Sequence, residues 1–173
     1  TTLTIARKSV SISIPSTTVT YTGSPAVLPD AVATGALNGE TVVSPSVKYD
    51  GINGTSYSSD IIPTAPGSYA IKPYLATLSS NNGDYSIGYT NTTLTIQTAP
   101  VTITGATTSL AYTGTSASVP APTLSGQKNS ETISSVTVTY TGINGTTYAA
   151  SSTPPTVPGT YSVAPSAATL SSS

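Results

Sequence analysis

The clearest pattern near the start of the chain is a strict alternation of apolar and polar residues. Over residues 8–15, Val10, Ile12 and Ile14 alternate with serines, and this period of two is typical of a strand with one buried face. Residues 18–22 predict a second strand. Nowhere does an apolar pattern at helical spacing extend beyond a turn or two, so the hydrophobic pattern predicts an all-β protein.

Short strands and tight turns continue through the first half of the chain. Tyr69, Ile71 and Pro73 occupy alternate positions and should share one side of a strand. Asn-Gly pairs predict tight turns, because both residue types tolerate the positive φ of a type I′ turn. The remaining predictions are turns at residues 38–39, 53–54 and 81–84, a polar surface crossing at residues 58–66, and a closing pair of strands at residues 85–89 and 93–96.

A long motif occurs twice and divides the chain. Residues 49–71 read YDGINGTSYSSDIIPTAPGSYAI, and residues 140–163 read YTGINGTTYAASSTPPTVPGTYSV. We therefore expect two tandem repeats, the first at residues 6–97 and the second at residues 98–173. The second repeat is expected to lack its last two strands, because it has no counterparts of residues 84–96.

The first five residues of the chain repeat the last predicted strand of the first repeat. The segment TTLTI stands at residues 1–5 and again at residues 92–96. We expect residues 1–5 to be either the closing strand of a preceding repeat or a donor strand, since an incomplete sheet exposes an edge that can accept a strand. A longer array cut at arbitrary points is the alternative explanation of these ends. The residues of the donor strand would be Thr1, Thr2, Leu3, Thr4 and Ile5.

Composition and charge exclude several classes of function. Five basic and six acidic residues give a net charge of −1, which provides no basic surface for binding nucleic acid. No apolar run approaches the length of a membrane span, so none is expected in this segment. The chain has no Cys and therefore no disulfide scaffold. A β-rich composition with many Thr and Ser, few charges and no Cys or Met favours an extracellular location.

The repeated motif resembles the MBG/YDG-type repeats of large bacterial surface proteins. The resemblance rests on YxGINGTxY followed by PGxY in both copies, and on the ending DYSIGYTNTTLTI at residues 84–96. It covers nearly the whole chain. Such repeats occur in tandem in adhesin-like chains, so the resemblance implies an extracellular stalk or adhesin module at the cell surface. It does not imply a particular ligand.

The Pro-Gly-x-Tyr element predicts a structural corner. In Greek-key sandwiches, a Tyr at the start of a late strand hydrogen-bonds back across the corner between the sheets. Tyr69 and Tyr161 have this place in the two repeats. With about eight short strands per repeat, tandem immunoglobulin-like β-sandwiches are the predicted fold. Tandem β-grasp-like repeats are the alternative.

The acidic residues do not form a repeated catalytic pair. Only Glu40 has an acidic counterpart in the second repeat, namely Glu131. Asp50 and Asp60 could meet in the first repeat, as the two carboxylates of a hydrolase must, but neutral residues replace both in the second. The chain has no His or Cys to activate a Ser nucleophile. We therefore predict that the protein is not an enzyme and uses no cofactor.

Three other kinds of site are disfavoured by comparing the repeats. Residues 50–55 carry closely spaced oxygen atoms like a calcium loop, but Thr141 replaces Asp50, so a polar hairpin turn is preferred and no metal is predicted. A Lys–Asn cross-link at Lys48 would not repeat, because its counterpart is Thr139. Thr-x-Thr runs occur in ice-binding arrays, but a repeat this long does not provide regularly stacked short coils, and solvent-facing Thr on strands is the ordinary explanation.

Two kinds of side chain could bring sugars to this protein. Asn53, Asn91 and Asn144 begin N-x-Thr sequons, which would carry glycans if the organism glycosylates. Tyr residues could also stack on a bound glycan. Because most of the Tyr positions recur in both repeats, core and corner roles are the preferred interpretation.

Together these observations favour a structural function. We expect tandem repeats that form the stalk or shaft of a secreted bacterial adhesin or extracellular fibre. The partners would be neighbouring copies, or adjacent repeats of a longer chain, and head-to-tail strand addition would produce a filament. The alternative is a glycan-binding module of a cell-surface adhesin.

Overall fold

The computed structural model describes residues 1–80 and 82–171 of the chain. It divides into two compact units, Thr1–Thr98 (unit 1) and Ala99–Ser173 (unit 2). Both units are built from strands, and the one helical element assigned among the described residues is the short 3-10 turn Asn82–Asp84. The predicted all-β class is confirmed.

Apart from position 81, which is not described, unit 1 contains ten short strands, which begin and end near the Pro, Gly and Asn residues of the sequence. They are β1 (Lys8–Ser13), β2 (Thr17–Thr20), β3 (Val32–Thr34), β4 (Val42–Val43), β5 (Ser46–Ile52), β6 (Ser58–Ser59), β7 (Gly67–Tyr74), β8 (Thr77–Leu78), β9 (Tyr85–Tyr89) and β10 (Thr92–Gln97).

These strands form three sheets. One has the order β3-β1-β9, the second has the order β2-β10-β7-β5-β6, and β4 pairs with β8 alone. The central strand β7 alternates between buried and half-buried residues along its length. Tyr69, Ile71 and Pro73 are the buried ones, as their spacing predicts, because successive side chains of a strand point to opposite faces.

The first two strands of unit 1 pair in parallel with the last two. Strand β1 lies parallel to β9, and β2 lies parallel to β10. All the other strand pairs of unit 1 are antiparallel. The first two strands of the unit are therefore paired with the last two, β1 with β9 in one of the larger sheets and β2 with β10 in the other.

The predicted closing pair of strands is wrong in one respect. Strands form at Tyr85–Tyr89 and Thr92–Gln97, close to the expected positions. They do not pair with each other, because β9 joins β1 in one sheet and β10 lies between β2 and β7 in the other. The short connection between them therefore crosses from one sheet to the other.

The core of unit 1 consists of two apolar clusters. The β10 cluster contains Ile14, Tyr49, Tyr69, Ile71, Leu94 and Ile96. The β9 cluster contains Val10, Ile12, Ala76, Leu78 and Tyr85. All three apolar residues of the first alternating segment are buried, as predicted. They divide between the clusters, however, because the chain passes from β1 to β2, and so from one sheet to the other, beside Pro15.

The Asn-Gly turns have the predicted geometry. Asn38 and Gly39 both have positive φ (57° and 71°), and so do Asn53 and Gly54 (53° and 87°). In each turn the next residue donates its amide proton to the carbonyl oxygen before the pair, as in Thr55 N to Ile52 O at 3.1 Å. Type I′ turns need positive φ at both central residues, which Asn and Gly tolerate. Asn81, the first residue of the predicted turn at residues 81–84, lies outside the described residues.

The described residues of unit 2 form four strands, two of which are long. They are β11 (Thr102–Thr104), β12 (Thr123–Ser125), β13 (Ile133–Ile143) and β14 (Thr160–Leu170). Strand β11 pairs with β12, and β13 pairs with β14, both antiparallel.

The strand pairs of unit 2 correspond to strand pairs of unit 1, with the same register except near Ser135, where the ladder shifts. The β11–β12 pair corresponds to β1–β3, with Thr102 opposite Ser125 where unit 1 has Ser11 opposite Thr34. The β13–β14 hairpin joins the counterparts of two unit 1 pairs, β5–β7 and β4–β8, into one long ribbon. Residues 108–111, the counterparts of β2, are not a strand.

Unit 2 buries much less apolar surface than unit 1. Of the buried hydrophobic side chains in the described part of the chain, only Tyr140 belongs to unit 2. A small domain needs a contiguous apolar core to offset the entropy of ordering its chain. The repeat interpretation is thus supported by strand register, whereas the two units differ in how completely their cores are filled. The choice between immunoglobulin-like and β-grasp-like repeats stays a prediction.

Candidate functional site

Both units contain a corner built from two tyrosines, a threonine and a glycine. In unit 1 the Tyr69 hydroxyl donates to the Ala65 carbonyl oxygen at 2.7 Å. Tyr57 packs edge-to-face on Tyr69, with ring centroids 5.5 Å apart, and its hydroxyl donates to the Ile61 carbonyl oxygen. Edge-to-face packing is a favoured geometry for aromatic pairs. The paired rings hold the loop between β6 and β7 against the start of β7.

Unit 2 repeats this corner almost unchanged. The Tyr161 hydroxyl donates to the Val157 carbonyl oxygen at 2.8 Å, and Tyr148 packs edge-to-face on Tyr161 with a centroid distance of 5.6 Å. Tyr148 in turn donates to the Thr153 carbonyl oxygen. The two residues predicted as structural corners, Tyr69 and Tyr161, therefore occupy equivalent hydrogen-bonded positions.

The corner leaves no room for a side chain at the Gly of Pro-Gly-x-Tyr. A Cβ at Gly67 would lie 2.8 Å from Thr55 Cγ2 and 3.0 Å from the Tyr69 hydroxyl. Gly159 faces Thr146 and Tyr161 at similarly short distances. The same Thr hydroxyl accepts the amide of the following residue, with Ser68 N to Thr55 Oγ1 at 3.1 Å. Close packing against the Thr and Tyr side chains therefore requires Gly at this position of the motif in both units.

Asp50 has a salt bridge that exists only in unit 1. Its Oδ2 lies 2.7 Å from Lys72 Nζ, and its Oδ1 accepts a hydrogen bond from the Ser58 hydroxyl at 2.7 Å. The Lys72 bond, with that of Ser58, lowers the pKa of the Asp50 carboxyl. The counterparts in unit 2 are Thr141 and Ala164, so this polar group is not part of the repeated framework.

The two glutamates also bind neighbouring protein groups. The buried Glu40 accepts a hydrogen bond from the Tyr85 hydroxyl at 2.8 Å, and that hydroxyl accepts the Leu37 amide. Burial, together with Glu40, raises the pKa of Tyr85. Glu131 accepts the Asn129 amide at 2.8 Å. Within residues 1–80 and 82–171, no group of three or more acidic residues could hold a metal ion.

The three sequon asparagines are exposed. Asn53 and Asn144 occupy equivalent positive-φ positions in their turns, and Asn91 lies between β9 and β10. The Thr residues of the first and third sequons are Thr55 and Thr146, the acceptors in the two corners. A glycan at either turn would project from the tip of the hairpin, while the sequon Thr stays within the fold.

Most tyrosines of unit 1 use their hydroxyls within the protein. In addition to the corner pair and Tyr85, Tyr89 accepts the Ala76 amide at 3.0 Å. In unit 2, Tyr112 has 68% of its surface exposed, whereas its counterpart Tyr21 packs against the β10 cluster. Tyr112 lines an open groove in unit 2, and this groove is the main difference between the two units.

Unit 2 contains an open groove of about 1100 Å³, here called the strand groove. It is lined by residues 105–113, 115–119 and 155–163, together with Tyr140. These residues correspond to the ones that surround β10 in unit 1. Where β10 is present, the cavity that remains beside Ile96 measures about 130 Å³.

The strand groove lies in the repeat that is expected from the sequence to lack its last two strands. Leu94 and Ile96 are fully or nearly fully buried in unit 1. Their neighbours in the β10 cluster have counterparts in unit 2, while Leu94 and Ile96 themselves have none in the described part of unit 2.

Comparison with known proteins adds no further information. No protein-family model, no curated protein and no solved structure matches this chain. No helix in the described part of the chain has the length and apolar character needed to cross a membrane. The functional interpretation therefore rests on the geometry of the two units.

Proposed function

We propose that this chain is a structural repeat module of the stalk or shaft of a bacterial extracellular adhesin or fibre. The proposal rests on which structural features the two units share and which they do not. Strand register, turns and the Tyr–Gly–Thr corner recur, whereas the Asp50–Lys72 pair does not. Selection for a binding or catalytic site would be expected to preserve polar chemistry, while a spacer needs only its framework.

The composition of the framework supports an exposed, extracellular setting. Core volume is supplied by Tyr, Ile, Leu and Val, and the outer faces of strands carry mainly Thr and Ser. Such strands need no disulfide, metal or cofactor to form. The resemblance of the motif to tandem repeats of bacterial surface proteins points in the same direction.

A surface-display experiment tests the proposal. One, two or three copies of the chain are placed between a membrane anchor and a fluorescent reporter, and the height of the reporter above the cell surface is measured. A shaft predicts that three copies give about three times the height of one. A Gly/Ser linker of equal length is the matched control, because its span grows as the square root of length, or about 1.7-fold. Scaling like that of the linker would contradict the proposal.

A glycan array on the chain addresses the alternative function, a glycan-binding module. Tyr112 is the natural probe, since its ring is the most exposed large aromatic surface among the described residues. Reproducible binding that is abolished by Tyr112→Ala would favour the glycan-binding alternative. Binding to no glycan, together with linear height scaling, is the result expected for a shaft.

A further inference from the structure

The outer edge of β9 has no strand partner in the described part of unit 1. Strand β9 pairs with β1 on one side and ends the sheet β3-β1-β9 on the other. Just after the strand, the Thr90 amide donates to the Ile12 carbonyl oxygen at 2.9 Å. Alternate residues of a strand direct their backbone groups to the same side. Residues 86 and 88 therefore also face β1, and residues 85, 87 and 89 face away from it.

The backbone groups on this outer edge are free to bind another strand. Within residues 1–80 and 82–171, no strand or loop makes a backbone hydrogen bond to Ile87 or Tyr89 from the outer side. The side chains of Ser86 and the Cα of Gly88 are exposed. A row of free N–H and C=O groups on an edge strand is a template for pairing with another chain.

Strand β9 lacks the features by which proteins usually protect an exposed edge. Such features are very short strands, Pro, charged side chains and bulges. The other edge strands of the two larger sheets are β2, β3 and β6, which have four, three and two residues. Strand β9 has five residues, YSIGY, without Pro or charge, and its pairing with β1 has no register shift. Among the described edges of these sheets, it is the longest and the least protected.

The sequence of β9 is nearly the same in both directions. It has a Tyr at each end, a small residue second from each end, and Ile87 at the centre. When two copies of the strand run antiparallel about Ile87, Tyr85 of one lies opposite Tyr89 of the other. Ser86 then lies opposite Gly88. The strand therefore matches a second copy of itself, position by position.

We propose that unit 1 binds a second copy of itself through the outer edge of β9, with a two-fold axis at Ile87. The two sheets then join into one continuous sheet of order β3-β1-β9-β9-β1-β3. In this register, residues 85, 87 and 89 of each strand direct their backbone groups at the other strand, and about six interstrand hydrogen bonds form. These backbone hydrogen bonds supply the affinity, as in other cases of strand addition.

Apolar side chains lie along one face of the paired strands. Tyr85 belongs to the β9 cluster and Ile87 packs against it, while Tyr89 is 41% exposed. In the dimer the exposed Tyr89 of one copy lies beside the buried Tyr85 of the other. Directly opposed aromatic side chains on paired strands stabilise a sheet. The apolar face of one sheet therefore continues into that of the second copy.

The charges near the edge are compatible with this pairing. Like charges directly opposite each other destabilise paired strands. Asp84 immediately precedes β9, and in the two-fold register it lies opposite Thr90 of the second copy, so the two carboxylates do not face each other. Lys8 pairs with Tyr85 from the β1 side, away from the new contact. The register therefore brings no like charges together along the strand.

The contact is short, so we expect weak association. Five residues of strand span about 17 Å, which gives a smaller interface than stable complexes have, and a dissociation constant in roughly the micromolar to millimolar range. Both copies use the same edge, so the pairing through β9 ends at a dimer. The inference goes beyond the proposed structural function, because it concerns how two copies recognise each other and not how one copy spans a distance.

Charges placed on the exposed face of β9 test the pairing. A Cβ at Gly88 would have no atom closer than 3.8 Å, so a side chain fits there. Ser86→Lys with Gly88→Lys places Lys opposite Lys twice and should raise the dissociation constant by roughly tenfold. Ser86→Glu with Gly88→Lys is the matched control, because it places opposite charges at both positions and should associate at least as tightly as the unchanged chain.

Sedimentation equilibrium up to millimolar concentration measures both variants. Each has Lys in place of Gly88, so any loss of strand stability from that change is shared. Equal dissociation constants for the two variants, or a chain that stays monomeric at millimolar concentration before any change, would overturn the proposal.

Disulfide trapping tests the register. The chain contains no Cys, so a Ser86→Cys variant mixed with a Gly88→Cys variant can form a disulfide only between copies. The two positions are directly opposed, with Cα atoms about 4.5 Å apart, within the range that a disulfide spans. Either variant alone is the matched control, because its two Cys positions are offset by two residues and lie about 8 Å apart, beyond that range.

The expected result is a cross-linked dimer in the mixture and little in either variant alone. A yield in the mixture no greater than in the single variants would overturn the two-fold register. The height measured in the display experiment does not depend on β9 pairing, so this inference and the proposed structural function can fail separately.

Discussion

Replacing Gly67 with alanine tests whether the repeated corner is closely packed. The new Cβ would lie 2.8 Å from Thr55 Cγ2, 2.9 Å from Thr55 Oγ1 and 3.0 Å from the Tyr69 hydroxyl. Real Cβ atoms essentially never approach another atom as closely as the two Thr55 distances require, the distance to Tyr69 is also unusually short, and Tyr69 is itself held by its bond to Ala65 and by the ring of Tyr57. The corner must therefore move to accept the methyl group.

Overpacking of this kind typically costs about 1–3 kcal/mol. For a domain of this size, one kcal/mol lowers the Tm by about 4–8 °C. Taking the middle of the range, about 2 kcal/mol, Gly67→Ala should lower the Tm of unit 1 by roughly 8–16 °C. Thermal unfolding followed by the NMR methyl signals of Ile71 and Leu94 reports on unit 1 alone.

A control and a rescue variant make the test specific. Gly83→Ala is the same chemical change at a position where nothing lies within 4 Å of the added Cβ, so a change below about 0.5 kcal/mol is expected. Thr55→Ser removes the nearest contact atom, Cγ2, but keeps the hydroxyl that accepts the Ser68 amide. Adding it to Gly67→Ala should recover part of the lost stability. Equal costs at Gly67 and Gly83, or strict additivity of Gly67→Ala and Thr55→Ser, would refute the packing argument.

Two further predictions concern the core and the charges of unit 1. Leu94→Ala should destabilise unit 1 by about 2–5 kcal/mol because the side chain is fully buried. Leu75→Ala is the control, since Leu75 is 75% exposed, and it should change the free energy of unfolding by less than about 0.5 kcal/mol. Urea titrations measure both free energies, and similar losses in the two variants would contradict the assigned core. Asp50 should titrate below its usual value near 3.8, and Lys72→Ala should raise its pKa, because Lys72 is the first cause of the lowering. Since the folded-state pKa is depressed, the stability that Asp50 contributes is present above pH 4 or so and is lost as the pH falls through the folded pKa. A carboxylate NMR titration unchanged by Lys72→Ala would contradict this assignment.

The faces of strands and the positions of turns followed from the sequence, but sheet membership did not. Alternation placed Val10, Ile12 and Ile14 on a buried face, and it was correct. It could not show that Ile14 belongs to a different cluster from Val10 and Ile12. A period of two specifies which side of a strand is apolar, while the partner of the strand depends on contacts with residues far along the chain.

The closing strands failed as a pair for the same reason. Residues 85–89 and 93–96 are close in sequence and both alternate, and the pattern predicts a closing pair of strands. Strand β9 instead pairs with β1 and β10 with β2, across nearly the whole length of the repeat. The corner was more predictable, because Gly67, Tyr69 and Thr55 interact over a short segment that the motif preserves in both copies.

The parallel pairing of the first and last strands of unit 1 has a mechanical consequence. When the two ends of a unit are pulled apart, parallel terminal strands slide along each other, and their interstrand hydrogen bonds are loaded together instead of one after another. The five aligned positions of β1 with β9 and the four of β2 with β10 would resist such sliding jointly. An antiparallel hairpin at the same place would open by peeling, one bond at a time. The order of strands therefore suits this unit to carry tension along its length.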